Sequence, residues 1–182
     1  MDRSIPGLRR RRALRLKGYD YAQAGAYFVT VCTQGRACLF ADMVHGEMRL
    51  NACGDIVKAC WNDLPHHYGH IELDAFVVMP NHVHAIIVLS GVTLGIPVAG
   101  TGLKAATARP PLSEIVRGFK TFSARRINEE RAAPALPVWQ RNYYEHVIRN
   151  EDDLDQVREY IATNPVRWLE DEENPARAGH GG

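Results

Sequence analysis

Two histidines separated by one residue are the first groups in this chain that could carry chemistry. His82 and His84 lie in the run 81–87, NHVHAII, which otherwise has the composition of an apolar β-strand. Side chains of a strand alternate between the two faces of a sheet, so both imidazoles are predicted on one face, opposite Val83 and Ala85. Two neighbouring imidazoles can hold a divalent cation if another element brings a third ligand. Taken alone, the pair is more simply explained as two structural histidines.

A second group of polar side chains follows near the C-terminal end, in a segment with helical periodicity. Gln156, Tyr160 and Asn164 are spaced i, i+4 and i+8 and therefore share one face, beside the apolar stripe of the same helix. A tyrosine and an amide one turn apart can offer a phenolic nucleophile and an oxygen ligand to one site. If the helix is considered by itself, a packed tyrosine and a capping asparagine are the better explanation.

Another tyrosine-rich run competes for the role of nucleophile. In 143–146, YYEH, strand alternation sends Tyr144 and His146 to one face and Tyr143 and Glu145 to the other. A nucleophile here is less favoured because no amide accompanies it in the matching pattern. The remaining candidates are predicted to be surface histidines (His66, His67) and core tryptophans (Trp61, Trp139, Trp168).

Composition restricts the class of protein. The chain has 182 residues with a formal net charge of +1, and 46% of the residues are apolar, which is typical of an ordinary globular domain and excludes a collagen-like or wholly disordered chain. No run approaches the roughly 18 apolar residues of a membrane span, and no apolar segment follows the N-terminal charges. We therefore expect a cytoplasmic, nucleoid-associated protein with no membrane partner. The four cysteines form no C-x-x-C pair, which argues against a zinc ribbon or a disulfide framework.

The charges are unevenly distributed along this nearly neutral chain. Residues 1–17 carry seven basic side chains against one acidic side chain, and residues 104–131 carry seven against three. Two basic segments suit a polyanionic partner, because each neutralised phosphate releases condensed counterions. A solvated tail and a solvated helix face would explain the same charges. The candidate phosphate contacts are Arg9, Arg10, Arg11, Arg12, Arg15, Lys17, Arg117 and Lys120.

The order of elements predicted from periodicity and turn residues is β-α-β-β-α-β-α. This is the pattern of a ferredoxin-like α+β sandwich, an antiparallel sheet of four to five strands with helices on one face. We expect a basic flexible arm at 1–18, a domain at 19–168 with a mobile loop at 90–111, and a disordered tail at 169–182. The predicted elements are strands at 26–32, 71–79, 82–89 and 138–148, and helices at 51–68, from 112 onward, and from about 151 to 163.

Taken together, several segments resemble the single-tyrosine HUH transposases, and most closely the branch of the REP-associated tyrosine transposases. The resemblance runs in consistent order from about residue 15 to 168, and Val83 is the hydrophobic residue that the HUH pattern has between its histidines. At the position of Asn164, the insertion-sequence relatives have glutamine. The REP-associated branch has asparagine there, as this chain does. The matching segments are 15–21 (RLKGYDY), 27–32 (YFVTVC), 79–84 (MPNHVH), 138–146 (VWQRNYYEH) and 160–165 (YIATNP).

This resemblance implies a specific reaction. Mg²⁺ or Mn²⁺ would be held by His82, His84 and Asn164, and Tyr160 would attack a phosphate, leaving a 5′-phosphotyrosine and a free 3′-OH. A second 3′-OH can reverse that step without ATP, in agreement with the lack of a nucleotide-binding loop in the sequence. The implied partner is single-stranded or hairpin-forming repeat DNA with a short flanking tetranucleotide. A monomer is favoured over a dimer that donates the tyrosine in trans.

Two other classes of protein fit parts of the sequence. A non-catalytic ferredoxin-like module that binds single-stranded nucleic acid would present aromatic side chains on an open sheet face rather than a histidine pair. A zinc-dependent hydrolase would need a third histidine or carboxylate ligand and a general base, neither of which the sequence identifies.

Overall fold

The computed structural model describes residues 21–45, 47–90, 109–171 and 173–176. The predicted basic arm at 1–18, most of the predicted loop at 90–111 and the end of the predicted tail lie outside this range. Among the described residues, no helix is both long enough and apolar enough to span a membrane.

An antiparallel sheet of four strands forms the centre of the domain and confirms the predicted α+β class. Its strand order is β4-β5-β1-β6, so β5 and β1 are the inner strands. They pair over eight residues, from Gly25 opposite Leu89 to Cys32 opposite His82. This register places His84 directly opposite Thr30. The strands are β1 (Gly25–Cys32), β4 (Ile71–Val78), β5 (His82–Leu89) and β6 (Tyr144–Ile148).

One face of the sheet carries the larger core. Alternate residues of β1 and β5, among them Val29 and Ala85, are fully buried there against the helices α1 and α3. Trp61 of α1 is also fully buried, and its ring stacks on Phe76 of β4 with centroids 5.0 Å apart. The prediction that the helices lie on one face of the sheet is correct for these helices. They are α1 (Ala52–Asn62), followed by the short α2 (Leu64–His67), and α3 (Leu112–Glu130).

The last helix, α4 (Glu151–Thr163), packs on the other face of the sheet, so the prediction that the helices share one face is wrong for this element. Val157 and Ile161 of α4 are buried against Phe28 of β1 and Ile86 of β5. Phe28 and Ile86 alternate with the residues that contact α1 and α3, so they lie on the opposite face. This is also the face of His82 and His84, and α4 therefore covers the histidine pair.

Two predicted elements are shorter than expected for local reasons. The helix predicted at 51–68 begins at the cap Asn51, whose side chain accepts a hydrogen bond from Gly54, and is interrupted at Asp63 just before Pro65. The strand predicted at 138–148 begins only at Tyr144. Residues 141–143 interrupt it, although Trp139 still forms an isolated bridge with Thr33 and the backbone N–H of Gln140 donates to the carbonyl of Cys32 at 2.9 Å. The indole of Trp139 is turned inward and donates to Ser123 Oγ at 2.9 Å.

The structure adds a two-stranded hairpin that the periodicity did not predict. It consists of β2 (Ala41–Val44) and β3 (Glu47–Leu50), each of four residues, with charged side chains on the exposed positions. Strands of four residues with several polar positions show too little alternation of apolar and polar residues to be predicted from the sequence. Phe122 of α3 is 47% exposed, and its ring stacks on His67 of α2.

Candidate active site

The two histidines of β5 are buried and face each other. His82 is 0% exposed and His84 is 3% exposed, and their Nε2 atoms lie 3.0 Å apart. Asn81 donates through its amide nitrogen to the carbonyls of Arg36 and Glu173, so its Oδ1 is the atom that faces His82 Nδ1 at 2.8 Å. His82 therefore donates from Nδ1 and presents the lone pair of Nε2 to the site.

His84 is held from the neighbouring strand. Its Nδ1 lies 2.8 Å from Thr30 Oγ1, and its ring stacks on Phe28 with centroids 5.5 Å apart. Burial lowers the pKa of His84 to about 3, since the charged imidazolium would be cut off from water. His84 is consequently neutral at physiological pH, which is the protonation state that binds a metal ion.

The structure brings Tyr160 of α4 to this pair. Its Oη lies 3.4 Å from His84 Nε2, and the two ring centroids are 5.1 Å apart. The ring also makes an edge-on contact with Phe28 at 6.0 Å. Its neighbour in the chain, Ile161, is 1% exposed, and this buried residue fixes the rotation of the helix.

Asn164 ends α4 and is buried, with 3% of its surface exposed. Its Oδ1 accepts no hydrogen bond from any described residue. An orphaned buried acceptor costs about 1–3 kcal/mol, so this oxygen is suited to a partner that the polypeptide does not provide. Two imidazoles and an amide oxygen that accepts no hydrogen bond from the described residues fit a divalent cation. Gln156, predicted on the same helix face, is exposed.

A residue that the sequence analysis missed also reaches the histidines. A carboxylate oxygen of Asp171 and ring nitrogens of His82 and His84 all lie within 4.8 Å of one another. The sequence analysis assigned Asp171 to a disordered tail. The sequence signal that could have placed Asp171 near the core was Trp168, a predicted core tryptophan three residues earlier. Trp168 is 5% exposed, and its ring centroid lies 6.1 Å from that of His82.

The competing tyrosines occupy different environments. Tyr144 and His146 lie on the face covered by α4, as alternation predicted, and His146 Nε2 is 3.1 Å from Asp153 Oδ2. Burial, and to a lesser degree the charge of Asp153, raises the pKa of Tyr144, which disfavours its phenolate. Tyr143 packs with the core on the other face. The predictions for the remaining aromatic groups are also correct: His66 and His67 are exposed, and Trp61, Trp139 and Trp168 are buried.

The predicted phosphate contacts are only partly within the described residues. Arg9, Arg10, Arg11, Arg12, Arg15 and Lys17 lie outside them. Arg117 is exposed on α3, on the face of the sheet opposite the histidines. Lys120 Nζ donates to the backbone carbonyls of residues 140, 141 and 142 at 2.8–3.1 Å, and burial lowers its pKa to about 8. Lys120 thus fastens the segment before β6, and its contact with DNA stays a prediction.

Comparison with known proteins shows what the chain is similar to. No protein-family model matches the chain. An uncharacterized protein of Haemophilus influenzae is 39% identical over 174 residues, which cover 91% of this chain and 94% of that protein. A second protein of that organism, provisionally named as a REP-associated tyrosine transposase, is 24% identical over 148 residues, covering 81% of this chain and 74% of the relative. The chain thus resembles the REP-associated tyrosine transposases.

A solved structure supports the fold of this chain. It is the structure of a REP-associated tyrosine transposase bound to a REP hairpin, and it is similar with a TM-score of 0.53 and 22% identity over 80% of this chain and 69% of that one. These similarities agree with the resemblance inferred from the residues, and they support an enzyme of the transposase kind.

Proposed function

We propose that this protein is a transposase that cuts and rejoins single-stranded, hairpin-forming repeat DNA through a covalent bond to Tyr160. The observation that carries the proposal is the position of Tyr160 Oη, 3.4 Å from His84 Nε2 on the sheet face where the two imidazoles meet. A hairpin substrate is supported by the solved relative, which is bound to a REP hairpin. Because Tyr160 reaches the histidines of its own chain, we further propose that a monomer is sufficient for cleavage.

In the proposed reaction, Tyr160 Oη forms a bond to the scissile phosphorus while the bond from phosphorus to the 3′ oxygen breaks. The phenol gives up its proton, and the leaving 3′ oxygen takes one up, so that the products are a 5′-phosphotyrosine and a 3′-OH. A phenol with an ordinary pKa near 10 is a weak nucleophile at neutral pH and needs assistance. His82, His84 and Asn164 would hold Mg²⁺ or Mn²⁺, which supplies positive charge for the phosphate oxygens.

The surroundings of Tyr160 suit a reversible covalent step. Contacts with Phe28 and His84 restrict the ring, so little conformational entropy is lost when the phenol is aligned with a phosphate. The phosphotyrosine keeps the energy of the original phosphodiester. A second 3′-OH can therefore attack it and restore a continuous strand without a nucleotide cofactor.

A zinc-dependent hydrolase is the second candidate, and one observation favours it. That hypothesis required a third histidine or carboxylate ligand, and Asp171 lies close enough to both histidines to serve. The hydrolase would release its product without a covalent adduct and would prefer Zn²⁺ over Mg²⁺ or Mn²⁺. The non-catalytic module required an open aromatic sheet face, whereas α4 covers the face of the histidines.

The deciding experiment is the detection of a covalent adduct. Incubation of the full chain with labelled single-stranded hairpin oligonucleotides and Mn²⁺ should give a protein–DNA adduct on denaturing gels. Tyr160→Phe should abolish the adduct and leave DNA affinity nearly unchanged, because it removes one hydroxyl and keeps the ring. Tyr144→Phe is the matched control, since its ring also contacts Phe28, and it should keep the adduct. A persistent adduct in Tyr160→Phe would transfer the role to Tyr143 or Tyr144.

A further inference from the structure

We propose that Asp171 is a further protein ligand of the divalent cation at the histidine pair, and that it is delivered by a C-terminal strap. The strap is defined as the described residues from Pro165 to Ala176. This inference rests on the proposed function for the presence of a cation, and it adds a carboxylate from a segment that the sequence analysis assigned to a tail.

The distances permit a common ion. Ligand bonds of about 2.1 Å place neighbouring donor atoms about 3 Å apart and opposite donor atoms about 4.2 Å apart. The two histidine nitrogens are 3.0 Å apart at their nearest, and the donor atoms of the set with Asp171 all lie within 4.8 Å of one another. Small shifts of these side chains would bring all of the donor atoms to one ion. Two imidazoles with a carboxylate form a mixed nitrogen and oxygen set that suits Mn²⁺.

The strap is anchored on both sides of Asp171. Before it, the buried ring of Trp168 packs near His82. After it, Asn174 is 5% exposed and donates from its amide to the carbonyl of Trp168 at 2.9 Å. The backbone N–H of Glu173 donates to Asp171 Oδ1 at 2.6 Å, which restricts the orientation of the carboxylate. The anchored strap therefore fixes the backbone at Asp171, and the hydrogen bond from Glu173 fixes its carboxylate.

Asn81 joins the strap to the histidines in a second, independent way. Its Oδ1 accepts from His82 Nδ1, and its Nδ2 donates to the carbonyl of Glu173 at 2.7 Å. Arg36 adds an ion pair to the Glu173 carboxylate at 3.0 Å. The residue that orients one imidazole thus also positions the segment that carries Asp171, an arrangement common around metal ligands.

The charges favour the same conclusion. A carboxylate beside two imidazoles attracts a cation, but without one it would repel the phosphate that the proposed reaction brings to Tyr160. A bound divalent cation removes this conflict, because it balances Asp171 and still leaves positive charge for the phosphate. The strap would therefore make binding of the phosphate at this site depend on the cation.

Calorimetric titration of the full chain with MnCl₂, without DNA, tests the proposal. Asp171→Asn should weaken Mn²⁺ binding by about tenfold or more, since even outer partners of metal ligands typically contribute about 10–100-fold. Asp152→Asn, the same change at an exposed position of α4, should leave the affinity unchanged. His84→Ala should lose binding, and Asp171→Glu should keep part of it. In thermal melts, the Mn²⁺-dependent rise in Tm should shrink in Asp171→Asn.

Several outcomes would overturn the proposal. If Asp171→Asn binds Mn²⁺ as the wild type does while His84→Ala does not, Asp171 is not a ligand, and the proposed function still stands. The ligand role is equally refuted if Asp171→Asn lowers Tm by the same amount with and without Mn²⁺ and keeps its affinity for the ion, because Asp171 would then only stabilise the strap. Weaker Mn²⁺ binding in Asp171→Asn supports the ligand role even if the wild type forms no DNA adduct, which would refute only the proposed function.

Discussion

At the scale of single residues, the candidate site depends on hydrogen bonds that decide which nitrogen of each imidazole faces inward. Asn81 holds His82 from the preceding turn, and Thr30 holds His84 from the adjacent strand. Both contacts involve Nδ1, and the two Nε2 atoms therefore meet in the site. Since ring orientation and tautomer control the affinity of imidazole for a metal ion, these partners matter as much as the histidines.

Replacement of Thr30 tests this role directly. Thr30→Val keeps the shape of the side chain but leaves His84 Nδ1 without its partner. We expect Mn²⁺ affinity to fall by about tenfold and the free energy of unfolding to fall by about 1 kcal/mol. Calorimetry and urea denaturation measure the two effects. Thr121→Val is the control, because its hydroxyl donates only to a carbonyl of its own helix, and unchanged Mn²⁺ affinity in Thr30→Val would contradict the prediction.

Replacement of Asn164 should impair cleavage without a large loss of stability. Its Oδ1 has no protein partner among the described residues, so Asn164→Ala should leave the free energy of unfolding within about 1 kcal/mol of the wild type. We expect Mn²⁺-dependent cleavage to be impaired, and Asn164→Gln to restore part of it because the longer amide still offers an oxygen. Cleavage assays beside urea denaturation give both quantities. Full cleavage activity in Asn164→Ala would remove this residue from the ligand set.

At the scale of elements, the placement of α4 decides whether Tyr160 reaches the histidines. Asn150 caps the helix by accepting from the backbone of Asp153 at 2.8 Å. Arg158, near the middle of α4, donates to both carboxylate oxygens of Asp74 at 2.9 and 2.6 Å. Asp74 lies where the β4–β5 register shifts, between Leu73 and Phe76, and this irregularity places a charged side chain within reach of α4.

The contact between α4 and β4 should be sensitive to acid. Hydrogen bonds from Arg158 hold the pKa of Asp74 below its ordinary value, so the ionised carboxylate stabilises the fold above about pH 4, and this stabilisation is lost as the pH falls through the lowered pKa. We therefore expect Asp74→Asn to be less stable than the wild type at pH 7, with a difference that shrinks as the solution is acidified. Urea denaturation at several pH values measures this difference. Asp42→Asn, exposed on β2, is the control, and a difference that stays constant with pH would refute the assignment.

At the scale of the whole molecule, the described part of the second basic segment, on α3, lies apart from the histidine face. α3 packs on the opposite side of the sheet, and the arm at 1–17 lies outside the described residues. The acidic residues that begin α4 lie at the helix N-terminus, where negative charge is favourable. Contacts with DNA phosphates are therefore expected mainly from the arm.

Deletion of residues 1–14 should weaken binding to a single-stranded hairpin and reduce its dependence on salt. For every phosphate that the shortened chain no longer neutralises, the slope of log affinity against log salt should decrease by about 0.7. Fluorescence anisotropy at several salt concentrations measures the slope. Binding to a random duplex of equal length at matched salt provides the comparison, and equal affinity for that duplex would count against the proposed substrate.

Local patterns in the sequence were enough to predict the groups that could do chemistry. Alternation along β5 placed His82 and His84 on one face, and the spacing on α4 placed Tyr160 and Asn164 one turn apart. Both follow from the periods of strand and helix, which depend only on neighbouring residues. The helix caps Asn51 and Asn150 are local features of the same kind, because each side chain accepts from a backbone N–H three residues later.

Only the tertiary structure decided how these local faces meet. The periodicity of α4 shows that it has a buried stripe, but not which side of the sheet the stripe covers, since both faces of the inner strands are apolar. Thr30 and Asp171 were missed because each meets the histidines across long stretches of chain; Thr30 and His84 are 54 positions apart. Such contacts are selected by the packing of whole layers, which no short pattern of residues encodes.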